Sequence, residues 1–115
     1  MNLTEVGPIT VAGYEYPVIY DTKALIDKIL FAEIDHHATV IRLRDDVTAQ
    51  VQLQSLVHEI THAIEQTYLE GVSLDERVIA GFSQGWFQVL RDSPELLKAF
   101  EELDSIRMEG TDERE

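Results

Sequence analysis

The spacing of apolar residues changes character along the chain, and each change predicts a boundary. Residues 1–8 (MNLTEVGP) read as a lead-in. Residues 11–20 (VAGYEYPVIY) are rich in aromatic and β-branched side chains, which favours a strand. Pro17 has no N–H to give to a ladder, so that strand lies at an edge or breaks there. Residues 21–31 (DTKALIDKILF) set Leu25, Ile26, Ile29 and Leu30 at helical spacing, which fits a short helix or an irregular connection. In the next stretch, AEIDHHATVIRLR, the period falls to two. Val40, Arg42 and Arg44 alternate with Ile41 and Leu43, a strand signature. Residues 33–34 supply a short partner strand, with Asp35, His36 and His37 as the turn between them.

From Thr48 the period rises to that of a helix, which runs to about Tyr68. Thr48 is its N-cap, and its apolar stripe is Leu53, Leu56, Val57, Ile60, Ile64 and Tyr68. Glu70 and Gly71 punctuate. Ser73 then reads as the cap of a second helix, with Glu76 completing an S-x-x-E capping box. The stripe of this second helix is Leu74, Val78, Ile79, Phe82, Trp86, Val89 and Leu90. Phe82 and Trp86 on that stripe read as core, while Phe87 lies off it. Ser93 and Pro94 open a third helix, to about Arg107. Strands precede helices, which predicts an α+β fold in a single domain over residues 1–108. Residues 109–115 (EGTDERE) form an acidic tail, expected to be disordered.

Composition narrows the chemistry. There are 22 Asp+Glu against 9 Lys+Arg, a net charge of −13, in 115 residues. Such a field repels phosphates and anionic membrane surfaces, so nucleic acid and membrane are not expected partners. A secretory signal and a run long enough to span a bilayer are not evident, and a cytoplasmic location is the expectation. The absence of cysteine removes disulfides and thiolate-ligated metals. Any transition-metal site must therefore use histidine and carboxylate.

Such a set is present. His58-Glu59-Ile60-Thr61-His62 is an H-E-x-x-H on the long predicted helix. Residues i and i+4 share a helix face, so the two imidazoles converge on one ion. The Glu after the first His sits beside the metal, placed to take a proton from water and pass it on. Zinc suits such a site, because it accepts imidazole and carboxylate and keeps one position open. The two histidines face away from the apolar stripe, so they are not simply core residues. The third ligand read from the wheel is Glu76, which shares a face with Ala80, Ser83 and Phe87; Asp75, Glu70 and Glu65 remain alternatives. Ala80 and Ser83 are small and let two helices approach. With a turn near residue 70, His62 lies about 12 Å from it and Glu76 about 4–5 Å along the returning helix. Bringing them level requires an earlier end to the first helix or a steep crossing. His36 and His37 read as turn residues, since neighbours in a strand point to opposite sides.

The stretch SLVHEITHAIEQ, followed by LDERVIAGFSQGWFQVLRDSPEL, resembles the minigluzincins, small gluzincin-type zinc metallopeptidases with phage and prophage members. The ImmA/IrrE-like peptidases of mobile elements are a looser likeness. The resemblance covers residues 13–97 and implies His58 and His62 as zinc ligands, Glu59 as general base and Glu76 as third ligand. It also implies a small twisted sheet over the active-site helix, with an edge strand, residues 40–44 or 18–20, flanking the cleft. Tyr14, Tyr16, Tyr20 and Tyr68 are oxyanion candidates by residue type alone. The terminal segment of such enzymes can occupy the cleft, a role open here to the third helix and residues 109–115.

The leading expectation is a zinc-dependent endopeptidase acting on a polypeptide substrate. The alternatives are an inactive zinc-binding regulator or adaptor of a mobile element, and an interaction module with an accidental motif. The acidic surface leans toward basic or neutral polypeptides.

Overall fold

Residues 1–69 and 72–108 are described by the computed structural model of the chain. A 3₁₀ turn over Leu3–Val6, capped by the Asn2 side chain on the Thr4 N–H, leads into β1 (Ile9–Val11). The chain reverses through Ala12 and Gly13, both left-handed, into β2 (Tyr14–Tyr16), which pairs antiparallel with β1. Pro17 then breaks the ladder, and β3 (Val18–Tyr20) joins a different sheet. The stretch expected to be one strand is thus parts of three, divided by a glycine turn and by a proline.

The short helix of the sequence reading is present as α1 (Thr22–Asp27). It is followed by β4 (Ala32–Asp35), a turn in which Asp35 Oδ1 accepts from the His37 and Ala38 N–H groups, and β5 (Val40–Leu43). The sheet order is β3-β5-β4, with β5 parallel to β3 and antiparallel to β4. This corrects one expectation. Residues 40–43 are the central strand, paired on both sides, and have no free edge. The edges are β3 and β4, and it is β4 that lies against the long helix.

That helix is α2 (Ala49–Tyr68), with Thr48 Oγ1 accepting from the Val51 N–H as its cap. Leu56 and Ala63 are buried on the sheet, together with Val11, Tyr16, Val18, Ile41 and Leu43, and Leu53 and Ile60 pack at the margin. Each Leu or Ile so buried is worth about 1.5–3 kcal/mol relative to exposure. Ile64 and Tyr68, at the far end of the stripe, are exposed.

The next helix, α3 (Glu76–Asp92), is capped by Asp75, whose Oδ1 accepts from the Arg77 N–H at 2.7 Å. Ser73 is therefore not the cap, and Glu76 is the first helical residue rather than the third. A second difference follows. Ile79, Ser83 and Phe87 are buried, whereas Phe82 and Trp86 are 61% and 53% exposed, and Val78 and Val89 are exposed as well. The apolar residues of α3 form two adjacent arcs, and the narrower arc beside Glu76, notched by Ser83, is the one that meets α2. Finally α4 (Pro94–Met108) starts at Pro94 as expected and leaves Leu97, Phe100 and Leu103 exposed. The fold is α+β, with four helices and two small sheets. No helix among the described residues is long and apolar enough to cross a membrane. The acidic tail, residues 109–115, lies outside the described residues.

Candidate metal centre

His58 and His62 project from successive turns of α2 toward the first turn of α3. Their rings lie 4.9 Å apart between centroids. Glu76 reaches both: His58 Nε2 is 2.8 Å from Oε1, and His62 Nε2 is 3.4 Å from Oε2. Among the described residues this is the one group of three or more His or acidic side chains that could hold a metal ion, with all ligand atoms within 4.8 Å of one another. The helix geometry that the sequence could not close is resolved by the connection. α2 ends at Tyr68 and α3 begins only at Glu76, and the Leu74 N–H, two residues before the new helix, is bonded to Glu65 of α2, which sets the start of α3 level with His62.

The remaining ring nitrogens are also held. His58 Nδ1 lies 3.3 Å from Ser83 Oγ, whose own proton is donated to the Ala80 carbonyl at 3.1 Å. Ser83 is then an acceptor toward His58 Nδ1, so that with an ion bound the ring proton would sit on Nδ1 and the Nε2 lone pair would face the metal. His62 Nδ1 lies 3.2 Å from Glu65 Oε1, and the other oxygen of Glu65 accepts from the Leu74 N–H at 2.7 Å. Outer partners of this kind fix the tautomer and aim of metal-binding histidines. Two imidazoles whose Nε2 atoms converge on one exposed carboxylate fit a zinc ion that needs three protein ligands and an open position. Without an ion, the short contact from His58 to Glu76 requires a proton on Nε2, since a carboxylate only accepts.

The other carboxylates expected as possible third ligands have different tasks. Glu65 orients His62 and pins the connection at Leu74, Asp75 caps α3, and Glu70 lies outside the described residues. Glu59 is not turned toward Glu76 as a ligand. It is 8% exposed, between α2 and β4. Burial pushes its carboxyl up to about 7, aided by the charges of Glu76 and Glu33 and opposed by His62 and the Ile34 backbone N–H. That N–H is on the outer side of β4, away from β5. Backbone groups of an edge strand alternate in direction, so Ala32 shares the outward set with Ile34.

Two residues went unassigned in the sequence reading. Ser83 is read from the sequence as a small residue on the Glu76 face, without a role for its hydroxyl, which the structure sets 3.3 Å from His58 Nδ1. His36, read as a turn residue, does sit in the turn. Its Nδ1 is nonetheless buried and has no hydrogen-bond partner among the described residues, and Tyr16 meets its ring edge-on at 6.3 Å. Burial and the neighbouring His62 hold its pKa below the ordinary value, favouring neutral imidazole. Of the tyrosines, Tyr20 is committed: its hydroxyl donates to Gln52 Oε1 at 2.6 Å and accepts from the Leu3 N–H. Tyr16 is buried in the core, and Tyr14 and Tyr68 are exposed. Family models, curated proteins and solved structures yield no match to this chain, so the chemistry of the site rests on its own geometry.

Proposed function

We propose that this chain is a zinc-dependent peptidase. The observation that carries the reading is the convergence of His58 Nε2, His62 Nε2 and the Glu76 carboxylate, with both Nδ1 atoms anchored from outside. Two imidazoles and a carboxylate, with no thiolate available, favour zinc among the common ions. A bound zinc ion supplies Lewis acidity, making a water more acidic and polarising a carbonyl oxygen. Glu59, next in sequence to His58 and shielded from bulk solvent, takes a proton from the attacking water. It then hands that proton to the leaving amine. Ser83 and Glu65 hold the imidazoles in register. With the Ile34 N–H held by Glu59, the outward backbone groups of Ala32 and the Ile34 carbonyl on β4 are those that offer an extended peptide main-chain hydrogen bonds.

Metal content after purification without added metal, followed by cleavage of a peptide library, tests the reading. One zinc per chain and cleavage that disappears in Glu59→Gln, with zinc retained, are expected. Cleavage that persists in Glu59→Gln overturns the assigned base. One observation favours a second reading, a zinc-binding regulator without activity: Tyr16 and Tyr20 are both tied up in the fold and cannot serve an oxyanion. One zinc per chain with no cleavage of any peptide would select it.

A further inference from the structure

The helical side of the molecule holds a cavity away from the metal centre. Leu53 and Val57 of α2, Phe87 and Leu90 of α3 and Leu97 of α4 wall about 450 Å³, within the range that takes small ligands. Two polar residues sit at its rim, Gln50 and Arg91, joined by a 2.9 Å bond from Arg91 Nη1 to Gln50 Oε1. That bond engages one guanidinium nitrogen and the amide oxygen. The Gln50 Nε2 and the Nε–Nη2 edge of Arg91 are then donors facing outward from it, and a guanidinium edge is the fork that a carboxylate fits with two parallel bonds. The charge of the chain makes this placement unusual. Lys28, Arg42, Arg44, Arg77 and Lys98 each face an Asp or Glu, as expected with 22 acidic residues against 9 basic ones. Arg91 instead bonds to the neutral Gln50, with no carboxylate set against it among the described residues.

A ligand suited to this place has an apolar body and one carboxylate head. The bordering elements are all helices, whose interior N–H and C=O groups bond within the helix, so a peptide main chain finds no ladder to join. An unbranched hydrocarbon chain makes no such demand. We propose that the cavity between α2, α3 and α4 binds a medium-chain fatty carboxylate, its chain against Leu53, Phe87 and Leu97 and its head on the open edge of Arg91, with the Gln50 amide as second donor. The site is independent of the peptidase reading. It lies toward the start of α2 and the end of α3, whereas His58, His62 and Glu76 meet where α3 begins. Leu97 is in the first turn of α4, so a bound chain also joins α4 to the α2–α3 pair.

Titration of the full chain with octanoate, decanoate and 1-octanol, below micelle-forming concentrations and followed by NMR, tests this. Saturable shifts with one ligand per chain are expected at Leu53, Val57, Leu90 and Leu97. Decanoate should bind about tenfold more tightly than octanoate, because two more methylenes leave water. Octanoate should bind about tenfold more tightly than 1-octanol, because only the carboxylate makes charged hydrogen bonds to the guanidinium. Arg91→Gln should erase that preference and leave 1-octanol binding as it was, which also shows that the cavity is still formed. Equal affinity for octanoate and 1-octanol, an unchanged preference in Arg91→Gln, or shifts that do not saturate overturn the proposal. So do shifts centred on His58 and His62, where a carboxylate would reach a metal. A chain that is dimeric without ligand through Leu90 and Leu97, read by light scattering and the same NMR signals, overturns it as well.

Discussion

At the scale of single residues, the centre is set by which proton sits where. Glu59 illustrates the thermodynamic side. Its carboxyl rises from 4.5 to about 7 chiefly through burial, so the folded chain holds that proton more tightly than the unfolded chain. The linked stability is fully present below pH 4.5 and is lost as pH rises through 7. In metal-free protein, Glu59→Gln should therefore add up to about 3 kcal/mol above pH 7 and nothing below the ordinary carboxylate range. Urea unfolding in chelator at pH 8 and at pH 4 measures this; equal differences at the two pH values would refute the burial of an ionisable Glu59. Ser83 illustrates the positional side. Its hydroxyl lies 3.3 Å from His58 Nδ1, so Ser83→Ala removes the outer partner that aims the His58 ring. Zinc affinity should fall about 10–100-fold, read by competition with a chromophoric chelator, while the fold is retained. Glu65→Gln keeps an acceptor for His62 and should lose less than Glu65→Ala, which also abandons the Leu74 N–H.

At the scale of elements, α3 decides whether the site assembles. Its register depends on Asp75, so Asp75→Ala should cost about 1 kcal/mol through the lost cap. It should also weaken zinc binding, because Glu76 is the very next residue. The face it buries is testable too. Phe87→Ala should cost roughly 3 kcal/mol, whereas Phe82→Ser and Trp86→Ser should change stability by no more than about 0.5 kcal/mol. Chemical denaturation of the three variants would expose a reversed face at once. These elements also mark how far the sequence could be read. The H-E-x-x-H pair was legible because i,i+4 spacing and a helix period coincide. Thr48 and Pro94 were legible because a cap and a proline act locally. The start of α3 was not: Ser73 and Asp75 are both capping residue types, three residues and one residue before Glu76, and the Asp75 side chain is the one that accepts from the Arg77 N–H. Its buried face was not legible either, since both of its arcs are apolar and the choice is made by Glu76 and Ser83 meeting α2. Strand order was likewise hidden, because alternation in residues 40–44 is the same for a central strand and an edge.

On the scale of the whole molecule, two regions are held by different forces. The β3-β5-β4 sheet and α2 close over Ile41 and Leu43, both fully buried, together with Leu56 and Ala63, and need no ion to do so. α3 rests on α2 through fewer buried residues, Ile79, Ser83 and Phe87, while its outer arc faces solvent. Besides those contacts, the Arg91 guanidinium donates to Gln50 Oε1 at 2.9 Å at one end of the helix pair, and at the other the Glu76 carboxylate lies between two imidazoles, the point where a metal would bridge the two helices. A ligand that binds only the assembled set stabilises it by mass action, about 2.7 kcal/mol at a free concentration 100 times Kd. For a domain of this size that is on the order of 10 °C in melting temperature. Chelation should therefore lower the melting temperature by that order, and Glu76→Ala should show a low value that chelator no longer changes. The loss should also be local. Amide exchange should accelerate along Ile79–Phe87 and in residues 72–75 while Ile41 and Leu43 stay protected, because opening α3 leaves the sheet core covered. Uniform acceleration across the sheet would mean that the helix pair and the sheet unfold as one unit. No response to chelator in a zinc-loaded sample would mean that His58, His62 and Glu76 are held by their hydrogen bonds alone.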